Sequence, residues 1–160
     1  MHFKYDKGFG FIMRDENYII AERMLLIMQK LSFLCEKEEC RLMEKRGLHL
    51  SEGRLLSILL SRESFSMQQL ASIQKVTTGR MTKIIDGLVE KKLVERKASH
   101  LDRRFFSVSL TLNGKSVAQN LKKSIVEDYI KIIKRLNSKT KDSILEVLEE
   151  ILTSLEEHMT

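Results

Sequence analysis

The run Asp102-Arg103-Arg104-Phe105-Phe106-Ser107-Val108-Ser109-Leu110-Thr111, with Gly114 just beyond it, concentrates side chains able to do chemistry. Two arginines sit in a polar, turn-prone segment. An alternating strand follows, and then a threonine that can cap a helix. A charged hairpin tip has nothing to bury, so it is suited to reach something negative. Upstream, Thr77 to Lys91 reads as an amphipathic helix with Thr77 as its cap. Met81, Ile84, Ile85 and Leu88 fall on the inward face, and Gly79, Thr82, Lys83 and Asp86 on the other, with Arg80 on the flank. Thr78 and Thr82 offer hydroxyls and methyls to base edges, and Gly79 leaves room for close approach. Arg80 and Lys83 reach phosphate or guanine. The partner this set suits is double-stranded DNA.

Charge distribution supports that partner. The chain has 160 residues, a net charge of +6 and a pI near 9.3. Between Lys75 and Arg104 there are nine basic residues against four acidic, whereas from Ser116 onward there are seven against eight. Most of the excess therefore lies in one block, the electrostatic footprint of a nucleic-acid surface, although a merely solvated face would look the same.

Several functions are argued against. No glycine-rich phosphate loop, Gly-x-Ser-x-Gly, HExxH or triad is present, so neither an enzyme nor a cofactor is expected. The four histidines (His2, His49, His100 and His158) have no ligand partner at helical i, i+4 spacing, and no metal is expected. Cys35 and Cys40 lie on one helix, pointing roughly 140° apart, and cannot bridge each other within it. Acidic neighbours Glu36, Glu38 and Glu39 disfavour a thiolate, so buried, inert cysteines are expected; a cysteine-based redox sensor is the alternative. No apolar run approaches membrane-spanning length, and a reducing cytoplasm suits the cysteine usage.

The elements that must position these residues follow from periodicity and caps. The chain has no proline, which permits long helices. Residues 1–15 form an N-terminal arm with three readings of similar weight: an extended segment packed on a partner subunit, a frayed end, or residues upstream of a start at Met13. Residues 16–47 form a long helix ending near Gly47. Residues 48–111 hold the winged helix-turn-helix. Within it, Ser51 caps a buried helix carrying Leu55, Leu56, Ile58, Leu59 and Leu60; Ser66 and Gln69 make a capping box; and a strand over 93–97, a polar turn and a return strand over 105–110 make the wing. Residues 112–160 hold two helices, capped by Thr111 and Ser138. The fold class is mainly α with a small β-hairpin wing, flanked by long N- and C-terminal helices. Their apolar stripes exceed what the small core can cover and call for a second subunit. A homodimer also supplies two recognition helices for a two-fold DNA site. A winged helix used only for protein–protein assembly competes, but leaves the basic wing unexplained.

These residues resemble the MarR family of transcriptional regulators: Asp102, Arg104, Leu110, Thr111 and Gly114 match its Asp-x-Arg and Leu-Thr-x-x-Gly signature, and the order of elements agrees over about residues 16 to 158. The resemblance implies a ligand-responsive repressor that binds a palindromic operator as a homodimer. It implies major-groove reading by Thr78, Gly79, Thr82 and Lys83, minor-groove contact by Arg103 and Arg104 in the wing, and Asp102 orienting the wing arginines. Thr77, Ser51 and Ser66 read first as caps, although a cap near phosphate also donates to it. A small apolar or aromatic effector is implied between the DNA-binding lobe and the dimerisation helices, with Met24, Met28, Phe33, Leu55 and Leu59 as candidate lining residues; ordinary core packing is the competing account of all five. The chain departs from the pattern at Lys91-Lys92-Leu93, where many members have Lys-Gly-Leu.

Overall fold

A computed structural model of the chain describes residues 15–98 and 106–159. The chain divides into two compact units, Met1–Leu42 and Met43–Thr160.

The described part of the first unit belongs to helix α1 (Glu16–Glu44). Its apolar side chains stand exposed within the single chain, among them Ile20, Leu26, Ile27, Leu31 and Leu34. The expectation of buried cysteines fails here: Cys35 is exposed and Cys40 half-buried. A helix so poorly covered within its own unit offers little shelter to a thiol.

The second unit continues with α2 (Leu50–Leu60), β1 (Phe65–Ser66), α3 (Met67–Ile73), α4 (Thr78–Glu90), β2 (Val94–Ala98), β3 (Phe106–Leu110), α5 (Leu112–Ile133) and α6 (Ser138–His158). Helix α2 packs against α4, α5 and β3. Leu55, Leu56, Leu70, Met81, Ile85, Leu88, Val108 and Leu121 are sealed in the resulting core. The three strands form an antiparallel sheet in the order β1-β3-β2, with Phe65 opposite Val108, Arg96 opposite Val108 and Val94 opposite Leu110. Strand β1 makes the expected hairpin three-stranded. Helix α6 buries none of its residues; Leu145, Leu148, Leu152 and Leu155 are exposed.

Caps set the helix boundaries. Thr111 Oγ1 accepts the Gly114 N–H at 2.9 Å. The Ser66–Gln69 box closes in both directions, at 3.2 and 2.9 Å. Two expected caps are displaced by one or two residues. His49, not Ser51, precedes α2, and its N–H donates to the Glu52 carboxylate at 2.8 Å. Asn137, not Ser138, caps α6 through its side-chain oxygen, which accepts the Thr140 N–H at 2.9 Å. Asn and Ser are nearly equivalent caps, so geometry decides between neighbours.

Helices α1, α3 and α4 end in the same motif. The amide two residues past the cap returns to a carbonyl five back (Leu48 to Met43, Val76 to Ala71, Leu93 to Leu88), through a left-handed residue. That residue is Gly47 at φ 65°, Lys75 at 52° and Lys92 at 57°. The Lys91-Lys92-Leu93 departure therefore leaves the turn intact, with lysine holding the backbone conformation glycine adopts most readily. Gly114 is required for a different reason: a Cβ there would stand 1.8 Å from the Leu93 carbonyl oxygen, where α5 starts against the end of this turn.

Candidate nucleic-acid interface

Helices α3 and α4, joined by the turn through Lys75, form the helix-turn-helix. Thr77 caps α4, its Oγ1 accepting the Arg80 N–H at 3.3 Å. Met81, Ile84, Ile85 and Leu88 are buried, which fixes the helix's rotation about its axis. The opposite face presents Thr78, Gly79, Arg80 and Lys83 to solvent. Nothing lies within 4 Å of a Cβ built at Gly79, so packing does not demand glycine there. The Thr82 hydroxyl donates to the Thr78 carbonyl at 2.9 Å. Its hydrogen is thus committed, and Thr82 has its methyl and oxygen lone pairs left to offer.

The wing is fastened to this helix by a residue that sequence reasoning missed. Alternation along β2 puts Val94 and Arg96 on one side and Glu95 and Lys97 on the other. Arg96 Nη2 lies 2.6 Å from Asp86 Oδ1 and 3.4 Å from the Thr82 carbonyl, tying β2 to α4. The signal was weak in the sequence, since a ten-residue separation across a helix end and a turn has no fixed period. Asp102, Arg103, Arg104 and His100 lie outside the described residues, as does Phe105; Phe106 is half exposed at the start of β3.

On the other side of β2, Glu95 pairs with Lys97 Nζ at 2.7 Å and accepts from Ser109 Oγ at 3.3 Å. The Lys97 hydrogen bond holds the Glu95 carboxyl below the usual carboxylate range, against the opposing effect of burial. These side chains border an open cavity of about 610 Å³, lined also by the end of α2, the loop from Ser61 to Ser64, Ser107 and Lys115. Among the five expected effector-lining residues, only Leu59 borders this cavity. Leu55 is sealed in the core. Met24, half-buried, and the exposed Met28 and Phe33 lie on α1 in the first unit.

Among the described residues, no group of three or more His, Cys, Asp or Glu is placed to hold a metal, and no helix is long and apolar enough to cross a membrane.

The MarR family model matches residues 48–105, the segment running from α2 into the wing. The chain is 27% identical over 145 residues to YpoP, an uncharacterized HTH-type transcriptional regulator of Bacillus subtilis, covering 91% of this chain and 94% of that protein. It is 25% identical over 107 residues to the HTH-type transcriptional regulator MhqR of the same organism, covering 67% and 74%. Among solved structures, it superposes on MepR of Staphylococcus aureus, a transcription regulator of the multidrug efflux pump MepA, with a TM-score of 0.72 at 17% identity, covering 81% of this chain and 96% of that one. MepR in complex with DNA superposes with a TM-score of 0.65 at the same identity and coverage. The fold of the chain is thus the winged helix of MarR-type regulators.

Proposed function

We propose that this chain is a transcriptional regulator of the MarR family, whose model matches its winged-helix lobe, and that it binds double-stranded DNA in a sequence-specific manner as a homodimer. One observation carries the reading: α4 buries four apolar residues on one side and turns Thr78, Gly79, Arg80 and Lys83 outward on the other. Such a face combines base-reading groups with phosphate-binding cations. The DNA complex of the similarly folded MepR supports the same use of the fold. In this reading Thr77 and Arg80 fix the helix end on the phosphate backbone, and Thr78, Gly79, Thr82 and Lys83 meet bases. Arg103 and Arg104, oriented by Asp102, enter the adjacent minor groove, where a narrow groove concentrates negative potential.

Residues 48–111 are then the DNA-binding lobe, and 16–47 and 112–160 the dimerisation helices, with residues 1–15 as an arm. The exposed apolar residues of α1 and α6 support a second subunit, because contiguous apolar faces of this length mark interaction surfaces. Two lobes related by two-fold symmetry match a palindromic operator. The regulator represses from the cytoplasm and releases DNA on binding a small effector. The cavity beneath β2 supports effector control, since the same strand contacts the recognition helix through Arg96 on its opposite side. Thiol control is a second reading, favoured by the exposure of Cys35.

The test is selection of bound sequences from a random duplex library, followed by affinity at two salt concentrations. A symmetric motif with half-sites about one helical turn apart is expected, with affinity falling on a slope near −0.9 per phosphate neutralised. Failure to enrich any motif, with or without candidate effectors, would refute sequence-specific binding.

A further inference from the structure

The stretch from Ser64 to Ile85, which holds the helix-turn-helix, contains no Asp or Glu, while Lys75, Arg80 and Lys83 supply cations. All three side chains are exposed, and among the described residues none of them takes part in an ion pair. Arg80 and Lys83 owe their place to α4, whose buried face aims them outward. Lys75 owes its place to the turn, where it holds a left-handed conformation at φ 52°. That conformation strains any residue with a Cβ and costs glycine nothing.

The turn does not need a lysine. Its hydrogen bonds are backbone ones, Lys75 N–H to the Ser72 carbonyl at 3.1 Å and Val76 N–H to the Ala71 carbonyl at 3.0 Å, and glycine makes them equally well. The neighbours on either side are anchored. Gln74 Nε2 donates to the Ser51 carbonyl at 3.2 Å, and the half-buried Val76 packs on the core. Lys75 therefore stands at the exposed crest of a fixed turn. Helix dipoles do not explain its charge either. The end of α3 attracts a cation, but the start of α4 repels one, and no acid in the first turn of α4 offsets that repulsion. Solubility would be served by a lysine at any exposed position. A charge kept unpaired on a disfavoured backbone points to a role outside the fold.

We infer that Lys75 is a further DNA-binding residue, whose ammonium meets a backbone phosphate next to the one held by Thr77 and Arg80. The inference rests on the proposed DNA binding and extends the contact beyond the bases that α4 reads. A lysine suits this task, since it is a point charge on a flexible stem and a phosphate carries no sequence information. Lys92 provides the internal control. It ends α4 in the same left-handed conformation, at φ 57°, but at the opposite end of that helix from Thr77.

The experiment measures affinity of the full chain for an unselected random duplex pool across a salt series. Phosphate contacts act on any sequence, so the test holds whether or not the chain is sequence-specific. Lys75→Gly and Lys75→Asn should each bind roughly tenfold more weakly at low salt, through loss of a charge-assisted contact. The salt slope should fall by about 0.9 for each lysine lost from the complex. Lys75→Arg should keep both affinity and slope. Lys75→Gly should also raise the melting temperature, so that stability and affinity move in opposite directions. Lys92→Gly should raise the melting temperature with affinity unchanged. The inference is overturned if Lys75→Gly and Lys75→Asn keep the parent's affinity and slope, or if Lys75→Arg binds as weakly as Lys75→Asn. It is equally overturned if Lys92→Gly weakens binding as much as Lys75→Gly, since the loss would then come from a loosened helix end. A parent chain that binds no duplex even at low salt would refute the proposed function, and this contact with it.

Discussion

The Glu52 carboxylate joins the first turn of α2 to the last turn of α4: it accepts from Lys91 Nζ through both oxygens, at 2.7 and 2.6 Å, and from the His49 N–H at 2.8 Å. Glu52 is 4% exposed, the one buried charged residue among those described. A Cβ at Gly87 would stand 2.8 Å from its Oε1, so α4 approaches this carboxylate closely. Removing Lys91 would strand a buried negative charge. Breaking a fully buried pair costs about 3–5 kcal/mol, and the partial exposure of Lys91 reduces that to roughly 1–3 kcal/mol. Lys91→Met should destabilise the fold by that amount in urea. The double variant with Glu52→Gln should recover part of the loss, because no unpaired charge then remains. A double variant as unstable as the sum of its singles would show that the two residues are not coupled.

Lys92 occupies the left-handed position that ends α4, at φ 57°. A residue with a Cβ is strained there by about 1–2 kcal/mol, partly offset by the greater entropy glycine loses on folding. Its cation near the end of α4 regains a few tenths through the helix dipole. Lys92→Gly should therefore stabilise by up to about 1 kcal/mol, raising the melting temperature by roughly 2–4 °C. A lower melting temperature would mean that the lysine side chain contributes more than its backbone costs.

Local chemistry was the most readable part of this fold. Thr77, Ser66 and Thr111 were legible as caps because each side chain bonds an amide only three residues on. The inward set Met81, Ile84, Ile85 and Leu88 was legible because burial on a helix repeats with its turn. What escaped was tertiary. The two-residue strand at Phe65 has no period to detect and exists because Val108 lies opposite it. His49 precedes α2 without being a favoured cap, since Glu52 satisfies its amide. Lys75 and Lys92 carry no sign of their left-handed backbone, which glycine would have announced. Arg96 looked like one more charge in a basic block until Asp86 appeared beside it.

That Arg96–Asp86 contact ties β2 to α4. Both side chains are partly exposed, so the pair adds at most about 1 kcal/mol to stability. Its effect on DNA binding should be larger, because a wing that swings freely loses ordering free energy on docking. Arg96→Ala should lower duplex affinity about tenfold with little change in melting temperature. Asp86→Asn keeps the arginine but weakens its tether, and should reproduce most of the loss. If only Arg96→Ala weakens binding, Arg96 contacts DNA directly and positions nothing.

Gly79 separates stability from function with a single methyl group. The space around it is open, and alanine is a better helix former by up to about 1 kcal/mol. Gly79→Ala should leave the fold as stable or more so. If the backbone of α4 approaches the major groove closely at this position, the same methyl obstructs the approach, and duplex affinity falls. Stability and affinity then move in opposite directions, which a general folding defect cannot produce. Equal or tighter binding by Gly79→Ala would place the closest approach elsewhere on α4.

Arg104 tests the wing. As the arginine of the Asp-x-Arg signature, it is proposed to enter the minor groove, and loss of such a contact costs roughly 1–3 kcal/mol. Arg104→Ala should therefore weaken operator binding about ten- to a hundredfold and flatten the salt dependence. Preference at A·T-rich flanking positions should relax, because narrow grooves favour arginine. Lys83→Ala provides the contrast: a major-groove reader should alter base preference inside the half-site and leave the flanks unchanged. A library selection with each variant separates these outcomes. If Arg104→Ala preserves both affinity and flank preference, the wing contributes to neither, and recognition rests on α4 alone.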